Sequence, residues 1–177
     1  MDGRLRSAAV VLFSIALLFI ANFGYGLAHE AAHAIVIDAL GGHVSGIYVN
    51  PLGTDACTEH TAMSGTADLV LINIAGLIMT TMLALAFTAA GQGLLAAFIA
   101  LRTAIYAINY SPGTDISTIH AVAGNLSIGL SLAIVTINLA CICAVAADRR
   151  TSIVLAVKRL TADLSSSLSR ARPARNN

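Results

Sequence analysis

The sequence predicts an all-α polytopic membrane protein with about four transmembrane helices and a short β-hairpin or loop between the first and the second. The composition is 57% hydrophobic and only 11% charged, and the mean hydropathy is +0.82. Long runs without acidic or basic residues are typical of membrane spans. A polar segment, residues 41–65, interrupts these runs. The net charge of +1 and the lack of a basic patch in the apolar region argue against nucleic-acid binding.

The first predicted span covers residues 7–40. As a single helix it is roughly 50 Å long, which exceeds the hydrocarbon core of about 30 Å. Tilt, or a kink near residues 22–26, can accommodate the excess. Residues 1–6 contain two arginines and are followed by an apolar run, a pattern that resembles a signal peptide. No small-residue cleavage site separates that run from residues 21–40. We interpret this segment as an uncleaved span.

The polar segment predicts a β-hairpin. Residues 43–49 alternate in polarity, the turn-forming residues 50–53 come next, and a second strand is expected at residues 59–63. An ordinary connecting loop explains the composition equally well. If the hairpin forms, its edge can bind an extended substrate by strand addition.

Three further spans are predicted at residues 67–90, 94–110 and 119–147, the last with a break at residues 124–125. Residues 91–93 form a glycine-containing turn between the second and third spans. Residues 1–147 are therefore expected to form one transmembrane core.

Residues 148–177 are expected to form a basic cytoplasmic tail. Within it, residues 153–164 fit an interfacial amphipathic helix and residues 169–177 a disordered end. Basic residues lie near both termini and are absent from residues 41–65, which places both termini in the cytoplasm of a multi-pass protein. We expect that protein in the cell membrane.

The chemical signal is the motif His29-Glu30-Ala31-Ala32-His33 inside the first span. On a helix, His29 and His33 project from one face and can bind one Zn²⁺, with Glu30 beside it. Unpaired ionisable groups in hydrocarbon cost several kcal/mol. The membrane setting therefore favours a metal site over a chance match on a solvated helix.

A catalytic zinc needs a third protein ligand. Asp115 comes after Pro112-Gly113, where irregular backbone at membrane depth implies a protein-lined or wet cavity. Asp115 is thus the preferred ligand, although an aspartate before a helix can also act as an N-cap. His120 is the alternative ligand, and it can instead pair with Asp115 or Arg102.

With Asn109, Pro112 and Asp115 added to the motif at residues 29–33, the chain resembles the site-2 protease family of intramembrane zinc metalloproteases. The resemblance implies that residues 1–147 are a transmembrane metalloprotease core in which His29, His33 and Asp115 hold Zn²⁺ and Glu30 activates the zinc-bound water. It also implies that the substrate is a transmembrane protein in the lipid bilayer. Many members have glycine where this chain has Ile116, and no PDZ or CBS module is recognisable. The chain is similar to a minimal, divergent member.

Two asparagines, Asn73 and Asn109, are candidate contacts for the substrate or the oxyanion, although interhelical hydrogen bonds are their commoner role. Other classes remain open. A membrane metal or ion transporter, or a non-catalytic metal-binding membrane protein, can also carry histidine and carboxylate groups in its spans.

Overall fold

The computed structural model of the chain describes the backbone of residues 3–50, 52 and 55–170, and the side chains of residues 11–148 except 14, 51, 53 and 54. Within these residues the chain is mostly helical, with one antiparallel hairpin, as expected. In chain order the elements are α1 (Gly3–Ala39), β1 (Val44–Val49), β2 (Ala56–His60), α2 (Thr66–Ala89), α3 (Gly93–Ala107), α4 (Asp115–Ala123) and α5 (Leu126–Arg170).

Three helices of the described chain are long and apolar enough to cross a membrane, namely Val11–Ala39 of α1, the whole of α2, and Leu126–Asp148 of α5. They overlap the predicted first, second and fourth spans, although the last begins at Leu126 rather than at residue 119. At the predicted third span, α3 has 15 residues, or roughly 22 Å of helix. That is shorter than a hydrocarbon core of about 30 Å. A fourth span therefore stays a prediction.

The predicted break at residues 124–125 is confirmed, because α4 ends before it and α5 begins after it. Gly124 has a φ of +55°, a conformation that glycine adopts without steric cost. Its backbone N–H donates to the carbonyl of His120, which terminates α4. The break separates the short helix α4 from the long helix α5.

At the other end, α5 continues to Arg170. It passes through residues 153–164 without a break at residue 148, where the tail was expected to begin. An interfacial position for this part of the helix stays a prediction. Most of the segment expected to be disordered, residues 171–177, lies outside the described residues.

The hairpin forms where the alternating pattern predicted it. Val49 pairs with Ala56, and Val44 pairs with His60 at the other end. The second strand begins three residues earlier than expected, since a backbone hydrogen bond of 2.8 Å from Asn50 to Asp55 closes the connection and pairing starts directly after it.

The hairpin folds back along α1. Asn22 donates a side-chain hydrogen bond to the carbonyl of Leu52, in the connection between the strands. Further along α1, a Cβ atom on Gly26 would lie 3.1 Å from Val49 Cγ1. A glycine at this position lets β1 approach the helix backbone closely. The hairpin is thus a layer on α1 rather than a loose connection.

The central element is α2, which packs against α1, α3, α4 and α5. One buried cluster joins α2 to α3, α4 and α5 and contains Ile74, Leu77, Ala107, Ile116, Ile119 and Ile134. A second joins α1, α2, α3 and α5 and contains Tyr25, Ala84, Ile99, Ala100 and Cys141. These two clusters hold α2 in register with α1 on one side and α4 on the other.

A buried polar contact connects α2 to α5. Asn138 Nδ2 donates to Thr81 Oγ1 at 2.9 Å and to the Ile134 carbonyl at 2.9 Å, and Asn138 is fully buried. Thr81 in turn donates to the Leu77 carbonyl at 2.7 Å. Polar side chains that bond across helices stabilise membrane bundles by about 0.6 to 2 kcal/mol each.

We therefore expect Thr81→Val to lower the free energy of unfolding by about 1 kcal/mol, because Asn138 loses its interhelical acceptor. Unfolding in detergent micelles measures the change. The matched control is Thr88→Val on the same helix, since Thr88 donates only to Ala84 within α2 among the described residues. Equal effects of the two substitutions would contradict the interhelical role.

Candidate metal centre

The two histidines of the motif lie on one face of α1, as its helical spacing predicts. Their ring centroids are 4.8 Å apart in an edge-to-face arrangement. Both residues are buried, with 5% of His29 and 6% of His33 exposed. Their ring nitrogens therefore depend on protein partners rather than on water.

Asp115 is the first residue of α4, and its side chain faces these histidines. The cap of α4 is Thr114, whose hydroxyl accepts from the Ser117 backbone N–H, while the Ser117 hydroxyl accepts from the Thr114 N–H. The alternative that Asp115 itself caps the helix is therefore wrong, since this reciprocal box already satisfies the end. Its carboxylate is available for the site.

The three side chains form a compact donor group. His29 Nε2 lies 2.8 Å from Asp115 Oδ2, and His33 Nε2 lies 3.5 Å from Asp115 Oδ1. One ligand atom from each residue lies within 4.8 Å of the others. Burial alone would raise the pKa of Asp115, but the hydrogen bonds and charges of the histidines lower it to about 2. Two imidazoles and an ionised carboxylate fit a metal ion such as zinc.

Helix α2 orients His33. The Nδ1 atom of His33 lies 2.6 Å from the Ile72 carbonyl oxygen and donates to it. Because Nδ1 keeps its proton for this hydrogen bond, Nε2, the atom that faces Asp115, is the nitrogen that would give up its proton to bind a metal. A backbone carbonyl behind a metal-binding imidazole is a common way to fix its orientation.

Helix α2 also provides the space for His29. A Cβ atom on Gly76 would lie 2.5 Å from both His29 Cε1 and Nε2. On its other side, His29 stacks on Tyr25, with centroids 6.1 Å apart. The guanidinium of Arg102 lies 4.4 Å from the centre of the Tyr25 ring. The His29 Nδ1 atom is buried without a hydrogen-bond partner among the described residues.

Glu30 is also buried, with 7% exposed. The hydroxyl of Thr58, on β2, lies 2.9 Å from Glu30 Oε2 and 3.0 Å from the Glu30 carbonyl oxygen. The hairpin therefore supplies a partner for the carboxylate that the sequence motif places beside the metal ligands.

Two cavities meet at the donor group. One, of about 180 Å³, is lined by residues that include Asn73, His60 and Leu69. The other, of about 270 Å³, is lined by Arg102, Tyr106 and Asn109. Both are lined by Glu30, Ala56, Gly113 and Asp115. The two cavities therefore share these four residues beside the donor group.

The predicted asparagines lie in different cavities. Asn73 Nδ2 donates to the Leu69 carbonyl at 2.7 Å within α2, while Asn109 Oδ1 accepts from the Ser111 backbone at 3.1 Å. Asn109 thus uses its oxygen in the turn before α4, so its amide group is the part that can donate to a bound molecule.

His120, the alternative ligand, is not part of the donor group. Its Nδ1 lies 3.0 Å from the Ser127 hydroxyl, and its ring packs edge-on against Tyr110 at 5.6 Å. It joins the start of α5 to the end of α4 instead. Arg102, suggested as its partner, lies with Tyr25 and Tyr106.

Sequence reasoning missed Thr58, Gly76, Tyr25 and the Ile72 carbonyl. Tyr25 precedes His29 by one helical turn, so helical spacing could have identified it. A glycine inside a span often marks a close helix contact, which is a signal for Gly76. No local sequence pattern identifies Thr58 or the Ile72 carbonyl as part of the site, because their contacts with Glu30 and His33 arise only when distant parts of the chain pack together.

No protein-family model, curated protein or solved structure matches the chain.

We expect Gly76→Ala to weaken metal binding at the donor group about 10- to 100-fold, because the added methyl group displaces the His29 ring. Isothermal titration of the purified protein with zinc measures the change. Gly129→Ala on α5 is the control, since no heavy atom lies within 4 Å of the position of its Cβ. An unchanged zinc affinity in Gly76→Ala would show that the close contact between Gly76 and the His29 ring does not position that ring for metal binding.

Proposed function

We propose that the chain is an intramembrane zinc metalloendopeptidase, similar to site-2 proteases, that hydrolyses peptide bonds of transmembrane proteins. The observation that carries the proposal is the juxtaposition of a buried three-donor group with a buried carboxylate. His29, His33 and Asp115 form the donor group, and Glu30 lines the same two cavities as Asp115. A site that only stored or moved a metal would not need a base beside the ligands.

The fit to zinc supports the hydrolytic chemistry. Zinc held by His29, His33 and Asp115 would supply a Lewis acid that polarises the scissile carbonyl and lowers the pKa of water. Glu30 then accepts the proton of the attacking water and delivers it to the leaving amine. The proton that Glu30 accepts from water is the same proton that it donates to the leaving amine. The Glu30 carboxylate is therefore regenerated in each turnover.

The cavities support an endopeptidase that takes an extended chain. Ala56, Thr58 and His60 of β2 line the smaller cavity, so a strand bound at this edge of the hairpin would pass the donor group. Asn73 lines the smaller cavity and Asn109 the larger one, and both can donate hydrogen bonds to that strand or to the tetrahedral oxyanion. A helical substrate has to unwind to bind in this way.

The proposal places the protein in the cell membrane with both termini in the cytoplasm. It is supported by the three long apolar helices and by basic residues near both ends of the sequence. In this arrangement α3 would be a short fourth crossing beside the site.

Glu30→Gln should abolish proteolysis and retain about one zinc per chain, because the amide cannot accept the proton while the three ligands remain. The assay is cleavage of a panel of labelled single-span peptides in proteoliposomes, with zinc measured by atomic absorption. Cleavage by the variant at the wild-type rate would refute the mechanism. Zinc transport across the vesicle membrane without any cleavage would favour the transporter alternative.

Asp115→Ala should release zinc, because it removes one of three ligands, whereas His120→Ala should retain it. The measurement is the zinc content after dialysis against a weak chelator. His120 is a suitable control because it is an imidazole in the same helix, α4, but contacts Ser127 rather than the donor group. Zinc loss in His120→Ala alone would reverse the assignment of the third ligand.

A further inference from the structure

One hydroxyl contacts two acceptors of the same residue. Thr58 Oγ1 lies 2.9 Å from Glu30 Oε2 and 3.0 Å from the Glu30 carbonyl oxygen. A threonine hydroxyl has one proton and donates it to either acceptor. Both contacts tie Thr58 to Glu30, so the backbone and the carboxylate of Glu30 are held from one point on β2.

The contact with Thr58 restricts rotation of the Glu30 side chain. A glutamate has three rotatable side-chain bonds, and a group that transfers protons must stay within about 0.5 Å of its productive position. The Thr58 hydroxyl engages Oε2. A carboxylate held at one oxygen by this contact keeps its other oxygen, Oε1, as the one left to accept a proton.

The position of Thr58 is in turn set by the docking of the hairpin. Ala56, two residues earlier on the same face of β2, lies 3.8 Å from the Cβ position of Gly26 on α1. Thr58 pairs with Ile47 across the hairpin. The strand that lines the smaller cavity is therefore also the strand that holds the carboxylate.

We infer that Thr58 is a positioning residue that orients the Glu30 carboxylate for proton transfer, which makes the β-hairpin part of the catalytic apparatus. The inference rests on the proposed function. It extends that function to a residue outside the metal motif and to an element that is not helical. Thr58 acts through Glu30 and needs no contact with the reacting atoms.

The test compares Thr58→Val, which keeps the shape and removes the hydroxyl, with Thr58→Ser, which keeps the hydroxyl. For a single-span peptide cleaved by the wild type, Thr58→Val should lower kcat about 10- to 100-fold with KM within about twofold. Thr58→Ser should recover most of the rate. Zinc content should stay at the wild-type level in both variants.

A second readout does not require turnover. Acetohydroxamate binds zinc in hydrolases and donates its hydroxyl proton to the neighbouring base. Its affinity, measured by calorimetry, should fall about three- to tenfold in Thr58→Val and recover in Thr58→Ser. Ser45→Ala is the matched control, because Ser45 is exposed and donates to the Glu59 carbonyl within the same hairpin at 3.1 Å.

The outcomes separate the two proposals. Wild-type kcat and hydroxamate affinity in Thr58→Val, with Glu30→Gln inactive, would overturn the role of Thr58 and leave the protease intact. Zinc loss, a change confined to KM, or no recovery in Thr58→Ser would also overturn it. Cleavage retained in Glu30→Gln would instead refute the proposed function, and the hydroxamate series would still report whether Thr58 orients the carboxylate.

Discussion

The rest of the structure depends on one constraint, which is that four ionisable side chains are largely buried among apolar helices and must satisfy one another. Each buried charge without a partner would cost several kcal/mol. His29 and His33 meet the Asp115 carboxylate, and Glu30 meets the Thr58 hydroxyl. These contacts require α1, α4 and the hairpin to converge at one point, and this requirement explains why a short, capped α4 begins where it does.

The element that makes the convergence possible is α2. It provides a carbonyl for His33 at Ile72 and a gap for His29 at Gly76, one helical turn later. Both features belong to the backbone rather than to a reactive side chain. A helix can therefore shape a three-donor site without contributing a donor side chain, by combining a small residue with a carbonyl that accepts a hydrogen bond from a donor residue.

Much of this arrangement can be predicted from local sequence. The motif spacing places His29 and His33 on one face, and polarity alternation predicts the hairpin. The contacts that escaped prediction, from Thr58 to Glu30 and from His33 to the Ile72 carbonyl, depend on distant parts of the chain. Two further points were decided by local contacts. The choice between Asp115 as cap and Asp115 as site residue turned on Thr114, whose reciprocal bond with Ser117 is not the usual Ser/Thr-to-Glu pattern. The length of α3 was overestimated, because hydropathy does not register the polar turn that begins at Asn109.

The return of the hairpin along α1 has a consequence for the order of assembly. The contact between Glu30 and Thr58 joins residues 28 positions apart, whereas that between His29 and Asp115 joins residues 86 apart. Contacts between nearby parts of a chain form with a smaller loss of loop entropy. During synthesis from the N-terminus, the contact between Glu30 and Thr58 can thus form before Asp115 has left the ribosome. The donor group of His29, His33 and Asp115 is then complete only late in folding, when α4 has packed against α1 and α2.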